Sequence, residues 1–290
     1  MNGGARSLRK QMDQKGIIIA PGCYDALSSK IIEEVGFKTI YLTGHGISVS
    51  LIGKTDAGLT TMSEVVVRAR DIINSVSIPV IVDADTGYGN PINVQRTVTQ
   101  LEQAGAAGIQ LEDQVWPKKC GHFPGKKVIP KGEMIQKIRA AVEARKDSDL
   151  VIIARTDAYY TSGIDEAIDR VNAYIENGAD IGFLDGLESM DNLRRQVSEV
   201  KGPVLANMVE GGKTPFLTPS ELEKMGYKIV IFPLSLMYSA TFSMLECAKS
   251  LLKSETTNGI RNKMMVFEEF NDFMGLPEIL NLEKKYGISS

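Results

Sequence analysis

Along the chain, short runs of consecutive apolar residues alternate with longer stretches in which apolar residues recur at helical spacing. The runs are "GIIIA" (16–20), "TIYLT" (39–43), "PVIVDAD" (79–85), "GIQLED" (108–113), "LVIIAR" (150–155), "IGFL" (181–184), "PVLAN" (203–207) and "KIVIF" (228–232). Their unbroken Val, Ile and Leu content predicts parallel strands covered on both faces. Helices are predicted over 25–35, 63–76, 93–104, 131–146, 164–177 and 235–252, with Asp25, Ser63 and Ser235 as N-caps. In "EEVGF", "EQAGA", "ENGA" and "EKMGY" a glycine follows the helical run and precedes a strand, the signature of a left-handed helix C-terminus.

These quasi-repeats predict an α/β chain of about eight βα units, a (β/α)8 TIM-type barrel spanning residues 1–290 as one domain. An open doubly wound sheet is the alternative. Residues 253–290 form a tail with a helical stretch around "KMMVFEEFNDFM", expected to dock on a partner subunit. The formal net charge of -3 offers no field for nucleic acid. No apolar run approaches a membrane span, so no membrane partner is expected. The start, "MNGGARSLRKQMDQKG", is read as basic, polar and unprocessed. Cys23, Cys120 and Cys247 are too few and too scattered for a disulfide framework, which suggests a reducing cytoplasm. No Walker or dinucleotide fingerprint is present, which argues against a nucleotide cofactor.

The expected strand ends carry Tyr41, Thr43, Asp83, Asp85, Glu112, Asp113, Arg155, Asp157, Asp185 and Asn207. In a parallel barrel such ends share one face, where chemistry is done. In "VDADTGYG", Asp83 and Asp85 alternate with Ala84 and so are expected on one side of an extended strand end. Paired carboxylates there suit Mg²⁺ (Mn²⁺ as a substitute), with Glu112 holding one of the waters the ion retains. Arg155 would set a bidentate donor beside it, or pair with Asp157 or Glu112. In "KKCGH", Lys118, Lys119 and His122 surround Cys120 with positive charge that favours thiolate, on a loop hinged by Gly121 and Gly125 that reads as a lid. Cys23 and Cys247 read as small hydrophobes or pocket-wall residues. His45 and His122 lack metal-ligand partners at useful spacing and read as hydrogen-bonding groups near an anion. The amides of Gly44 and His45 could hold a substrate carboxylate in a loop nest.

Together "PGCYDALSSKIIEEVGFKTIYLTGHG", "VDADTGYGN", "QLEDQVWPKKCGH", "IIARTDA" and "PVLANMVEGGKTP" resemble the phosphoenolpyruvate mutase/isocitrate lyase superfamily, from about Ile17 to at least Ser250. "KKCGH" resembles the signature of its lyase branch. The resemblance implies a Mg²⁺-dependent cleavage of a C–C bond in a small carboxylic acid. It also implies a barrel whose last helix is exchanged between subunits of a homo-oligomer, a dimer of dimers. It gives Asp83 and Asp85 to the metal and makes Cys120 the acid that protonates the departing enolate. Tyr41 becomes the acceptor of the 2-hydroxyl proton, aided by Arg155 or Glu112, with Lys118 also catalytic. Thr43, Gly44, His45, Asp56, Gly121, His122, Arg155, Asp185, Asn207 and Tyr238 become substrate contacts. Where methylisocitrate lyases carry an arginine and a longer glutamate, this chain has Tyr238 and Asp185. A third carboxylate would then be buried without a charged partner, so an alkylated 2-hydroxy dicarboxylate, 2,3-dimethylmalate, is expected over 2-methylisocitrate. Met237, Tyr238, Leu187 or Trp116 would wall the pocket. Phosphonomutase, oxaloacetate hydrolase or decarboxylase, and a non-catalytic acid-binding barrel are the alternatives.

Overall fold

The computed structural model describes residues 3–119 and 125–288. The chain divides into two compact units, Met1–Met237 and Tyr238–Ser290. The first opens with α1 (Gly4–Asp13), β1 (Ile18–Cys23), α2 (Ala26–Val35), β2 (Ile40–Leu42), α3 (Gly44–Ile52) and α4 (Met62–Ser75). It continues through β3 (Val80–Asp83), α5 (Pro91–Ala104), β4 (Gly108–Glu112), α6 (Lys131–Ala144), β5 (Val151–Thr156) and α7 (Ala158–Glu176). β6 (Ile181–Leu184), α8 (Met190–Glu199), β7 (Leu205–Asn207), α9 (Pro219–Met225) and β8 (Ile229–Phe232) complete it, and α10 (Ser235–Ser254) carries the chain into the second unit.

The eight strands form one sheet in the order β6-β5-β4-β3-β2-β1-β8-β7. All named pairs are parallel. Between β6 and β7 the Gly182 amide donates to the Pro203 carbonyl at 2.9 Å, and Gly182 pairs with Val204, so the sheet nearly closes on itself. This is the TIM-type barrel, and the open sheet is excluded.

Both faces of the strands are buried, as their uninterrupted apolar content requires. Outward side chains such as Leu42, Val82 and Ile152 pack against helices. Inward ones, among them Tyr41, Ile81, Ile153, Phe183 and Ile231, fill the barrel. The glycine after each of the helical endings quoted above is left-handed: φ is 105° at Gly36, 98° at Gly105, 102° at Gly178 and 106° at Gly226. Asp25 caps α2 through the Ser28 amide. Ser63 does not cap α4: Thr61 does, in a capping box with Glu64, and Ser63 lies in the first turn. Helix α7 runs from Ala158, but Gly163 is non-helical at φ 85°, so regular helix resumes at the predicted Ile164.

Helices α1, α3 and α8 have no counterpart among the predicted elements, and α9 was marked only by its "EKMGY" ending. For α1 the reason is compositional: it buries only Ala5 and Leu8. Leu8 nevertheless joins the apolar interior of the barrel with no exposed surface, and Arg9 ties the helix to Asp180 at 2.8 Å. A helix that buries so little shows no apolar stripe.

In the second unit, a 3-10 turn (Asn258–Lys263), α11 (Phe267–Phe273) and α12 (Leu276–Lys285) follow α10. Its boundary at Tyr238 precedes the expected tail at 253. Leu252 and Phe267 are 88% and 83% exposed.

Leu8→Ala removes a buried side chain that its neighbours only partly replace, at a cost of about 3 kcal/mol. The expected result is a thermal midpoint lower by about 6 to 12 °C, read by circular dichroism, with far-UV shape retained.

Candidate active site

The C-terminal ends of the strands gather an unusual density of charge. Asp83 closes β3, and its carboxylate accepts from the amides of Asp85 (3.1 Å) and Gly44 (3.3 Å) and from Gln110 Nε2 (3.5 Å). Asp85 is not on an extended strand end: its φ of 49° is left-handed, a conformation that Asp tolerates better than most residues. The two carboxylates still converge, by the turn rather than by alternation. A Cβ on Gly44 would lie 3.0 Å from Asp83 Oδ2 and 3.2 Å from Asp85 Oδ1, so a larger residue there would press on both carboxylates.

Lys118 meets this pair. Its buried Nζ lies 2.6 Å from Asp85 Oδ1 and 2.6 Å from Asp56 Oδ1. The ammonium thus already has two carboxylate partners, although the sequence reading placed it as charge for Cys120. Burial opposes the Lys118 charge, but Asp85 and Asp56 outweigh it and hold its pKa well above the ordinary value. Asp85 is pushed up to about 7, by burial first, with Lys118 opposing and Asp83 adding repulsion.

Glu112 ends β4 directly beside Arg155 on β5, with Arg155 Nε 3.2 Å from Glu112 Oε2. Arg155 is heavily engaged: Nε donates to Asp157 Oδ2 (2.9 Å), and Nη2 to Asp157 Oδ1 (3.1 Å) and Asp185 Oδ2 (2.7 Å). Both sequence readings of its ion pairing therefore hold. Its Nη1 makes no hydrogen bond to the described residues and remains for a ligand. Asn207 Nδ2 donates to Asp185 Oδ1 at 3.0 Å, which makes Asp185 the link between arginine and amide. Burial raises the Glu112 pKa well above the carboxylate range, with Arg155 opposing. Burial, reinforced by Asp83, likewise keeps the Tyr41 phenol protonated.

Gly44 and His45 do not sit in a loop nest. They form the first turn of α3, capped by Thr43, whose Oγ1 accepts the Gly46 amide at 3.3 Å. The anion-binding argument survives in another form, since a helix N-terminus also presents amides and positive potential.

A small cleft brings together Tyr41, Thr43, His45, Asp56, Asp83, Arg155, Asp185 and Asn207. Its apolar side is Val209, Ile231, Pro233 and Leu234, not the expected Leu187, Trp116 or Met237. Leu187 and Met237 are buried elsewhere, and Trp116 is half exposed against Tyr88, their rings 5.9 Å apart. Strand hydrophobicity alone does not reveal which apolar residues face a cleft. Tyr238 begins the second unit. Cys120, Gly121 and His122 lie outside the described residues. Cys23 is buried, as expected of a small hydrophobe, and burial pushes its thiol up.

Two residues to which the sequence reading gave no role in the site matter here. Lys126, fully buried, sits 2.8 Å from Asp157 Oδ1, the oxygen it shares with Arg155. Asp113 accepts from Thr156, Tyr174, Arg170 and the Asp157 amide, and so fixes Asp157 from behind. A buried lysine amid "GKK" leaves no pattern in sequence. Asp113, by contrast, was visible as a charge at a strand end.

Among the described residues no three His, Cys, Asp or Glu side chains cluster tightly enough to cage an ion. The donor set still fits Mg²⁺, which takes one or two carboxylates and keeps waters. Asp83 receives only long hydrogen bonds, and Glu112 Oε1 is buried with no partner among the described residues. Both oxygens are available to a hydrated cation.

Comparison with known proteins places the chain among named enzymes of one family. The chain is 48% identical over 282 residues to a 2,3-dimethylmalate lyase from Eubacterium barkeri, covering 97% of this chain and 98% of that one. It is 45% identical over 279 residues to a chloroplastic carboxyvinyl-carboxyphosphonate phosphorylmutase from Arabidopsis thaliana, covering 95% and 82%. A crystal structure of a 2,3-dimethylmalate lyase superposes with a TM-score of 0.94 at 38% identity, covering 99% of this chain and 96% of that one. With a phosphoenolpyruvate phosphomutase family model matching residues 8–252, the chain belongs to that family.

Proposed function

We propose that this chain is a Mg²⁺-dependent C–C lyase that cleaves 2,3-dimethylmalate to pyruvate and propionate. The carrying observation is the asymmetry of the cleft. Among the described lining residues Arg155 is the one guanidinium or ammonium, and Val209, Ile231, Pro233 and Leu234 face it as an apolar wall. That lining accommodates two carboxylates and two methyl groups. A third carboxylate would be buried without a cationic partner.

Asp83 and Asp85 would hold the ion, with Glu112 reaching it through water, and Mn²⁺ would serve in the same place. When bound, Mg²⁺ supplies Lewis-acid polarisation of the substrate's 2-oxygen. The α3 N-terminus, through the His45 amide, receives the carboxylate beside the hydroxyl. Arg155 Nη1, with Asn207, faces the second carboxylate, where negative charge grows as the C2–C3 bond breaks. Tyr41, kept protonated by burial, is a donor to a substrate oxygen. Glu112, ionised when paired with Arg155 and a bound cation, is then the group that takes the 2-hydroxyl proton. Cleavage leaves pyruvate and a propionate carbanion, which takes its proton at C3 from Cys120. Exposed apolar residues of the second unit, such as Phe242 and Met244, support self-association of the chain.

Purified protein with Mg²⁺ should release pyruvate from 2,3-dimethylmalate with a higher kcat/KM than from 2-methylisocitrate, and EDTA should stop it. Preference for 2-methylisocitrate would overturn the substrate reading, and silence on both would return the phosphonate reading suggested by the Arabidopsis relative. Cys120→Ala should lower kcat by about 10² to 10⁴ while pyruvate still binds.

Metal binding should also depend on pH. The folded pKa of Asp85 lies above its ordinary value, so the carboxylate form that a cation needs is depleted as pH falls through about 7. Mn²⁺ affinity, titrated by calorimetry, should weaken by up to about tenfold per unit below that point. Affinity that stays flat from mildly alkaline to mildly acidic buffer would remove Asp85 from the metal's ligands.

A further inference from the structure

Helix α6 buries Met134, Ile138 and Ala141 against the barrel at helical spacing, and Lys137 lies in that same stripe. Its exposure is 4%, the value expected of a core leucine rather than a lysine. Burial pulls its pKa down, with Glu133 opposing, so the fold places an ammonium where it is costly. Its hydrogen bond among the described residues runs to one atom: Nζ donates to the Thr86 carbonyl at 3.1 Å.

Thr86 follows Asp85 in the turn that brings the two carboxylates together. The other carbonyls of that turn are held by backbone amides or by the Thr97 hydroxyl. The Ala84 carbonyl accepts the Gly87 amide (2.9 Å) and that of Asp85 accepts the Glu112 amide (2.9 Å). Thr97 Oγ1 donates to the Gly87 carbonyl (3.1 Å). The Thr86–Gly87 peptide is therefore held at its N–H by the Ala84 carbonyl and at its carbonyl by the Lys137 side chain of α6. On either side of Thr86 the backbone is left-handed, φ 49° at Asp85 and 81° at Gly87. A peptide between two such residues has extended alternatives close by, and rotation toward them would swing the Asp85 carboxylate away from Asp83.

We propose that Lys137 is a positioning residue for the metal site: by holding the Thr86 carbonyl it keeps Asp85 in the left-handed conformation that presents its carboxylate beside Asp83. Lys137 touches neither substrate nor ion and acts through Asp85. The inference rests on the reading that Asp83 and Asp85 hold the metal.

Geometry and charge give opposite signs, which makes the test decisive. Removing a positive charge near a dication tightens binding by Coulomb's law. Loosening the turn weakens it. The measurement is Mn²⁺ binding to the full chain without substrate, followed by the electron paramagnetic resonance signal of the free ion, beside a thermal midpoint for each protein. Lys137→Met should bind Mn²⁺ about tenfold or more weakly than wild type, the usual consequence of losing a group that supports a ligand. Lys137→Arg, which keeps charge and donor, should stay near wild type. Unchanged or tighter binding by folded Lys137→Met would overturn the proposal, as would a lowered thermal midpoint with unaltered affinity. If Lys137→Met does not fold, Thr97→Val removes the neighbouring anchor without altering charge. A smaller loss of affinity there supports the anchoring argument, and no loss refutes it. Wild-type protein that binds no Mn²⁺ would overturn the metal reading and this inference together, whereas binding by wild type and variant alike defeats this inference alone.

Discussion

Six carboxylates converge at one end of the barrel, and the arrangement of nearly every other polar group there follows from keeping them together. Asp56, Asp83, Asp85, Glu112, Asp157 and Asp185 are all buried or nearly so. In a low-dielectric interior their mutual repulsion would expel them or force protons onto them. Three internal cations offset this in part, with Asp85 and Glu112 still raised above the ordinary carboxylate range. Lys118 bridges Asp56 and Asp85, Arg155 joins Glu112, Asp157 and Asp185, and Lys126 shares Asp157. The balance is incomplete on the side of Asp83 and Glu112. Where negative charge stays in excess and a carboxylate oxygen lacks a partner, a hydrated dication is the natural complement.

The cations also divide the cleft by role. Arg155 donates three hydrogen bonds to protein carboxylates and pairs with Glu112 as well, which fixes the guanidinium plane and leaves Nη1 without a partner among the described residues. Asp157 is held both through its side chain and through its amide, the latter by the buried Asp113. Burial alone would raise Asp157, yet Arg155 and Lys126 outweigh it and hold its carboxyl well below the usual range. An arginine anchored to a carboxylate that stays ionised is pre-organised before substrate arrives, which is the condition for electrostatic stabilisation to act at the transition state.

What the sequence made legible follows from how locally each feature is encoded. The strands were visible because burial on two faces forces continuous apolar runs, and the helix C-termini because only glycine takes the left-handed position cheaply. The strand-end charges were visible because no solubility argument explains an acid directly after such a run. Helix α1 was not, since it buries only Ala5 and Leu8. The apolar wall of Val209, Ile231, Pro233 and Leu234 was not, because pocket and core hydrophobes share one chemistry. The error at Asp85 is more instructive. Alternation was assumed to continue past Asp83, where the strand in fact ends, and the same convergence is reached by a left-handed turn.

That turn shows why supporting residues escape sequence reading more thoroughly than ligands do. A ligand sits at a strand end and advertises itself by being charged in an apolar context. Lys137 is equally anomalous, a lysine at a core position of an amphipathic helix, but helical periodicity tolerates one polar exception as noise. Only the contact from Nζ to the Thr86 carbonyl distinguishes an aliphatic stem filling space from a donor with a task. The carboxylates are thus specified by the barrel's strands, whereas the geometry of one of them depends on a helix from a different βα unit. Coupling of this kind is a property of the folded topology, because residues 86 and 137 meet only once β4 and α6 have been laid beside β3.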